Sequence, residues 1–132
     1  MTAQEQAIAG DADVVRVRQL VRTVAVAARL SLVDQTKLVT AASELARNTL
    51  IHGGGGSASV EQVTSAVKPG VRVVFRDKGP GIADIALALT DGYTSGSGMG
   101  LGLGGAKRLV DQFDIVSDPA EGTTITVVKW AR

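Results

Sequence analysis

Seven glycines fall within the fourteen residues from Gly92 to Gly105, and an amphipathic pattern from Ala106 to Phe113 follows at once. A glycine loop that opens into a helix presents backbone N–H groups without intrahelical partners, and the helix dipole adds partial positive charge there. Such a junction is suited to phosphate oxygens. Glycine lets the backbone approach a ligand closely and take positive φ. Taken alone, the run also reads as a flexible linker. What decides between the two is whether the rest of the chain supplies the other parts of a phosphate site.

The chain has 132 residues, 45% hydrophobic and 3% aromatic, with 14 basic and 13 acidic side chains. That length predicts one domain over residues 1–132, with a core built from Val, Leu, Ile and Ala. The near-balanced charge argues against a broad nucleic-acid surface. With no cysteine, disulfides, thiolate metal sites and thiol catalysis are excluded, and any zinc or Ser-His-Asp chemistry would rest on His52 alone. No run of eighteen apolar residues and no secretory leader pattern occurs, so the expectation is a soluble cytoplasmic protein without a membrane role.

Residues 3–9 read as an edge strand or a frayed end. Asp11 and Asp13 are candidate N-caps for a helix over 13–29, whose buried stripe is Val14, Val17, Val21, Val24 and Ala28. Arg16, Arg18, Arg22 and Arg29 lie mostly off that stripe, as a solvated face or as a dock for an acidic partner. Ser31 caps a second helix to Ile51, with Asp34 in a capping-box arrangement. Its core side is Val33, Leu38, Ala41, Ala42, Leu45, Thr49 and Leu50. Glu44, Asn48 and His52 share one face at steps of four, and Gly53 to Gly56 end the helix. Strands are expected over 57–67 and 71–77, as a hairpin about a turn at Lys68-Pro69-Gly70. A short helix is expected over 84–89, then the glycine run and its helix to Phe113, then strands over 114–118 and 123–130. This order predicts an α/β two-layer sandwich, a mixed β-sheet with helices packed on one face. Phe113 and Trp130 read as core or strand-face residues.

Three stretches can converge: the face bearing Glu44 and Asn48, the turn at Asp77, and the glycine run. Amides of Gly98, Gly100 and Gly102 suit phosphates, and the Asn48 amide oxygen is a hard ligand suited to Mg²⁺. Glu44 is placed to orient or deprotonate an attacking hydroxyl or water. Asp77, at a strand end before Gly-x-Gly, can accept from an exocyclic amine and so select adenine; the bland alternative is an ordinary β-turn. Neither a P-loop nor a dinucleotide fingerprint is present. His52 more simply packs or caps a carbonyl at its helix end.

Glu44-Leu45-Ala46-Arg47-Asn48, Asp77-Lys78-Gly79-Pro80-Gly81 and Gly96-Ser97-Gly98-Met99-Gly100-Leu101-Gly102-Leu103 resemble the N, G1 and G2 boxes of the GHKL superfamily, in order and spacing. Gly122-Thr123-Thr124 is similar to the superfamily's late Gly-Thr element. The resemblance covers nearly the whole chain. It implies the Bergerat ATP-binding fold, ATP as nucleotide, and Mg²⁺ held through Asn48. It implies nucleotide contacts from Asn48, Asp77, Gly79, Gly81, Ile82, Gly96, Ser97, Gly98, Met99, Gly100, Leu101, Gly102 and Thr123, with Glu44 as catalytic base. A complete histidine kinase would need a phosphoacceptor-histidine helix ahead of the domain, and a gyrase or MutL a transducer domain after it, so the expectation is neither. Within the superfamily the chain resembles the serine/threonine kinases of bacterial partner-switching systems, most of all the stressosome switch kinases. That implies STAS-domain substrates and, on release, activation of a PP2C-type phosphatase. Gly104 and Met99 stand where proline and leucine are expected. His52 resembles the anti-sigma version of the N box, so a kinase that sequesters a sigma factor is the alternative.

Overall fold

A computed structural model describes residues 3–80, Leu89 and residues 102–132. The helix expected over 84–89 and the site residues Gly81, Ile82, Gly96, Ser97, Gly98, Met99, Gly100 and Leu101 lie outside the described residues.

Helix α1 (Asp11–Ala27) buries Val14, Val17, Val21, Val24 and Ala25, the stripe its three- and four-residue spacing dictates. It starts two residues before the expected position, with Gly10 as N-cap. Asp13 is not the cap itself. From inside the first turn its Oδ2 accepts from the Ala9 N–H at 2.8 Å. That bond, with Arg16 beside it, holds the Asp13 carboxyl below the usual carboxylate range. The helix closes in a Schellman motif: the Arg29 N–H donates to the Val26 carbonyl at 3.0 Å and the Leu30 N–H to that of Ala25 at 3.1 Å. Arg29 takes the left-handed position at φ 66°, the one non-glycine residue with positive φ among those described.

Helix α2 (Leu32–Ile51) begins at Ser31, whose Oγ accepts from the Asp34 N–H at 3.1 Å. The core stripe of Leu38, Ala42, Leu45 and Thr49, extended back by four, falls on Asp34. Asp34 is accordingly buried, while Val33, expected in the core, is 64% exposed.

The strands are β1 (Gln4–Ile8), β2 (Gly56–Thr64), β3 (Pro69–Asp77), β4 (Gln112–Asp118) and β5 (Gly122–Trp130). They form one sheet in the order β1-β2-β3-β5-β4. The mixed sheet expected from sequence is corrected here, since every pairing among the described residues is antiparallel. β2–β3 and β4–β5 are hairpins, and the two helices between β1 and β2 return the chain reversed. β4 does run parallel to β3, but β5 lies between them, so no parallel ladder forms. The first hairpin turns at Ser65–Lys68, where the Ser65 N–H meets the Lys68 carbonyl at 2.8 Å. Pro69 and Gly70, expected in the turn, instead open β3.

Alternation gives the sheet two faces. Ala58, Val60, Val71, Val73, Phe75, Ile125 and Val127 point to the helices and complete the core, whereas Arg72 and Arg76 face away. The third helix, α3 (Gly102–Arg108), packs on α2 and buries Leu103 and Ala106. It ends before Phe113, which belongs to β4.

At the end of the sheet away from Asp77, Lys129 is buried between two carboxylates, Asp34 at 3.6 Å and Asp111 at 3.7 Å. Arg132 adds a contact to each of them. Burial pushes the Asp111 carboxyl up, but the Trp130 N–H, Lys129 and Arg132 together outweigh it and leave the group below its ordinary value. The expected capping partner Asp34 thus spends its side chain on tying the start of α2 to the end of β5. None of the described helices is long and apolar enough to cross a membrane.

Candidate functional site

Asp77 ends β3 on the helix-facing side and is buried. Its Oδ1 accepts from the Gly79 N–H at 2.8 Å and from the Thr123 N–H at 3.3 Å. The first bond is the two-residue reach that Asp makes in a turn; the second ties the strand end to β5. The Asp77 carboxylate is therefore fixed through Oδ1.

Gly53, read from sequence only as part of a helix stop, and Gly122, from the Gly-Thr element, build this seat. Gly53, in the segment after α2, packs so tightly that a Cβ there would lie 2.4 Å from Asp77 Cγ and 2.5 Å from Oδ2. Gly122 packs from the other side, where a Cβ would lie 2.0 Å from the Asp77 carbonyl oxygen. Gly79 in turn abuts the Gly53 backbone. The tetraglycine stretch is thus more than a helix stop. Only the approach of residues 24 or more apart in sequence reveals that role, though four consecutive glycines signalled some close contact.

Thr123 is buried beside Asp77, and its hydroxyl shares a 2.9 Å hydrogen bond with the Ser117 hydroxyl. On α2, Glu44 and Asn48 are half-buried, and His52 caps the helix with its N–H on the Asn48 carbonyl at 2.9 Å. The Gly53 N–H reaches the same carbonyl at 3.3 Å. One turn earlier, Glu44 Oε2 accepts from the Gly102 N–H at 3.3 Å. Gly102 was expected to turn its amide to phosphate; that amide faces the Glu44 carboxylate. Asn48 therefore sits one helical turn from Glu44, which touches the end of the glycine run, and next to Gly53, which touches Asp77. The last turns of α2 bring the expected residues Glu44, Asn48, Asp77, Gly79, Gly102 and Thr123 around one corner.

That corner suits a nucleotide on the chemistry of its donors and acceptors: a carboxylate held at a strand end, a helix face with an amide and a carboxylate, and a glycine segment between them. Among the described residues no three His, Asp or Glu side chains gather as a metal cage. A cleft of about 640 Å³ runs along Gly53–Ser57 and reaches Asp77, with Arg76, Lys78, Glu121 and Thr124 also in its walls. Arg76 and Thr124 point away from the helices, so part of this cleft lies on the uncovered side of the sheet.

The model of the histidine kinase-, DNA gyrase B- and HSP90-like ATPase family matches residues 33–131. The serine/threonine-protein kinase RsbT of Bacillus subtilis is 44% identical over 120 residues, covering 91% of this chain and 90% of that protein. The anti-sigma F factor of Halalkalibacterium halodurans is 32% identical over 103 residues, 73% of this chain and 69% of that protein. Among solved structures, the RsbU and RsbW domains of Rv1364c from Mycobacterium tuberculosis superpose with a TM-score of 0.70 at 21% identity. That match covers 100% of this chain and 33% of the longer one, and supports the fold alone. With the family model spanning the site from α2 through β5, the chain belongs to the histidine kinase-, DNA gyrase B- and HSP90-like ATPase family.

Proposed function

We propose that this chain is an ATP-dependent protein serine/threonine kinase of a bacterial partner switch, acting in the cytoplasm. The observation that carries the reading is the placement of Glu44 and Asn48 one turn apart on α2, between the fixed Asp77 carboxylate and Gly102 of the glycine run. The 44% identity to a serine/threonine-protein kinase over nine-tenths of both chains supports it.

In this reading Asp77 Oδ2 accepts from the adenine amine, while the Gly79 and Thr123 amides hold Oδ1 and so fix its direction. Gly81 and Ile82 would line the base, and the backbone amides of Gly96, Ser97, Gly98, Met99, Gly100, Leu101 and Gly102 would serve the phosphates. Asn48 would be the protein ligand to Mg²⁺, which commonly binds through few protein groups and would supply charge neutralisation at the phosphates. Glu44 takes the proton from the acceptor hydroxyl as the hydroxyl oxygen bonds to the γ-phosphorus and ADP departs. The Gly102 N–H holds Glu44 through Oε2 and leaves the carboxylate with further acceptor capacity for the hydroxyl, which couples the base to the glycine run.

The substrates in this reading are STAS-domain proteins of a stressosome or antagonist, and the released kinase binds and activates a PP2C-type phosphatase. Incubation with labelled ATP, Mg²⁺ and STAS-domain proteins of the same organism tests it. Label on serine or threonine is expected; ATP bound without transfer to any of them would contradict it.

A second reading is favoured by the 32% identity to an anti-sigma F factor and by His52 in the helix-end position. There the chain holds a sigma factor and phosphorylates an antagonist. Stable, ATP-dependent recovery of a sigma factor with the purified chain would move the assignment to it.

A further inference from the structure

Ser117 is a polar side chain beside the site that the proposed mechanism does not use. β4 and β5 form a hairpin in which Ser117 stands opposite Thr123. Asp118 closes the turn: its Oδ1 accepts from the Ala120 N–H at 2.7 Å and its carbonyl from the Glu121 N–H at 3.2 Å. The β3–β5 register that pairs Arg76 with Thr124 puts Asp77 opposite Thr123 at the next step. There the Thr123 N–H meets Asp77 Oδ1 at 3.3 Å. Ser117, Thr123 and Asp77 thus make one row across three strands. They share the parity of Ile115, Ile125 and Phe75, so the row faces the helices.

Thr123 is 4% exposed, and Ser117, on the edge strand, is half-buried. Their hydroxyls lie 2.9 Å apart, and either one can donate. A hydroxyl carries one proton and two lone pairs. The direction of this bond therefore decides what Thr123 offers to a ligand beside Asp77. When Thr123 donates to Ser117, its oxygen offers lone pairs only. When Ser117 donates, the Thr123 proton is released for an acceptor. A hydroxyl that accepts one bond also donates a stronger one, because chained hydrogen bonds polarise one another. A Ser–Thr pair elsewhere on a sheet would contribute only to strand pairing; this one stands in the row of the carboxylate assigned to the adenine amine.

We propose that Ser117 is a positioning residue for the nucleotide base: its hydroxyl donates to Thr123 and so directs the Thr123 O–H at the N1 ring nitrogen of adenine, beside the amine held by Asp77. This rests on the reading that Asp77 and Thr123 hold adenine. N1 of adenine is an acceptor flanked by a donor amine, so a hydroxyl proton and a carboxylate side by side match that edge of the base. Ser117 acts through Thr123 and does not touch the base.

The test compares, by calorimetry on the purified chain, the Kd of ATP with that of 1-deazaadenosine triphosphate, in which a C–H replaces N1. Ser117→Ala weakens ATP about three- to tenfold, the weight of one neutral hydrogen bond. The Kd of the deaza analogue changes less than about twofold, because it has no acceptor for Thr123 to serve. Ser117→Thr keeps the hydroxyl at a strand position suited to β-branching and brings ATP affinity back to within about twofold of wild type. A merely structural Ser117 would weaken both nucleotides alike in Ser117→Ala, and that result would overturn the proposal. Wild-type ATP affinity in Ser117→Ala, with Asp77→Asn impaired, would overturn it too while leaving the nucleotide reading in place. A wild-type chain that binds no ATP would remove that reading and the role of Ser117 together.

Discussion

Gly122 couples the fold to the site, and its replacement by alanine separates two costs. Its φ of +94° is left-handed, and a Cβ would lie 2.0 Å from the Asp77 carbonyl oxygen and 2.7 Å from Lys78 Cα. The left-handed backbone costs a non-glycine residue about 1–2 kcal/mol. The contact is with backbone, which cannot rotate away, and overpacking of that kind costs a further 1–3 kcal/mol or so. Gly122→Ala should therefore destabilise by roughly 2–5 kcal/mol. Gly54→Ala is the control: φ is +72° with nothing within 4 Å, so only the strain of about 1–2 kcal/mol applies. Gly53→Ala isolates the third case, a Cβ that strikes the Asp77 side chain without positive φ. The Asp77 Cβ is itself 2.5 Å away and no rotamer moves it, so stability falls and ATP affinity falls with it, by tenfold or more. Urea unfolding of the three variants, with ATP titrations on each, reads out both quantities. Equal destabilisation by Gly122→Ala and Gly54→Ala would refute the backbone-contact argument, and wild-type ATP affinity in Gly53→Ala would refute the seat assigned to Asp77.

Asp77→Asn keeps the acceptor oxygen but presents an N–H₂ where an acceptor is needed, so ATP binding should fall by at least about 1.4 kcal/mol, or tenfold, as seen by calorimetry. Unchanged affinity would remove Asp77 as the adenine anchor. Lys129→Ala leaves Asp34 buried beside Asp111 with only the exposed Arg132 near both; a loss of about 3 kcal/mol in urea unfolding is expected, and less than 1 kcal/mol would show that the cluster is solvated. The folded Asp111 carboxyl lies below its ordinary value, so the unfolded chain holds that proton more tightly. Its stabilising effect is complete above about pH 4 and is lost as pH falls through the folded value. Asp111→Asn should accordingly flatten the stability curve below about pH 4, and an acid slope equal to wild type would contradict that.

The residues legible in the sequence were those whose chemistry is tied to type at a fixed local spacing. Glu44 and Asn48 four apart on a helix, and Asp77 before Gly-x-Gly, could be singled out because a single turn or helix face fixes each of them. Element order was legible for the same local reasons. The β2–β3 hairpin was legible too, but the wider pairing was not: whether β4 meets β3 directly or across β5 depends on long-range register, and the sheet came out antiparallel throughout its described pairings. Gly53 reads as a helix stop until Asp77, on another element, is placed against it. Lys129, Asp34 and Asp111 come from three distant segments, and each alone resembles an ordinary surface charge. Val33 was assigned to the core by its apolar character, although the four-residue step from Leu38 falls on Asp34.

The central claim is that Glu44 is the base while Asp77 and the glycine run hold the nucleotide. The most direct measurement compares phosphotransfer and ATP affinity in Glu44→Gln, which keeps an oxygen to accept the Gly102 N–H but cannot take a proton. The account predicts phosphotransfer to a STAS-domain serine or threonine reduced about 10²–10⁴-fold with the Kd for ATP within threefold of wild type. Transfer near the wild-type rate, or a matching loss of ATP affinity, would contradict it.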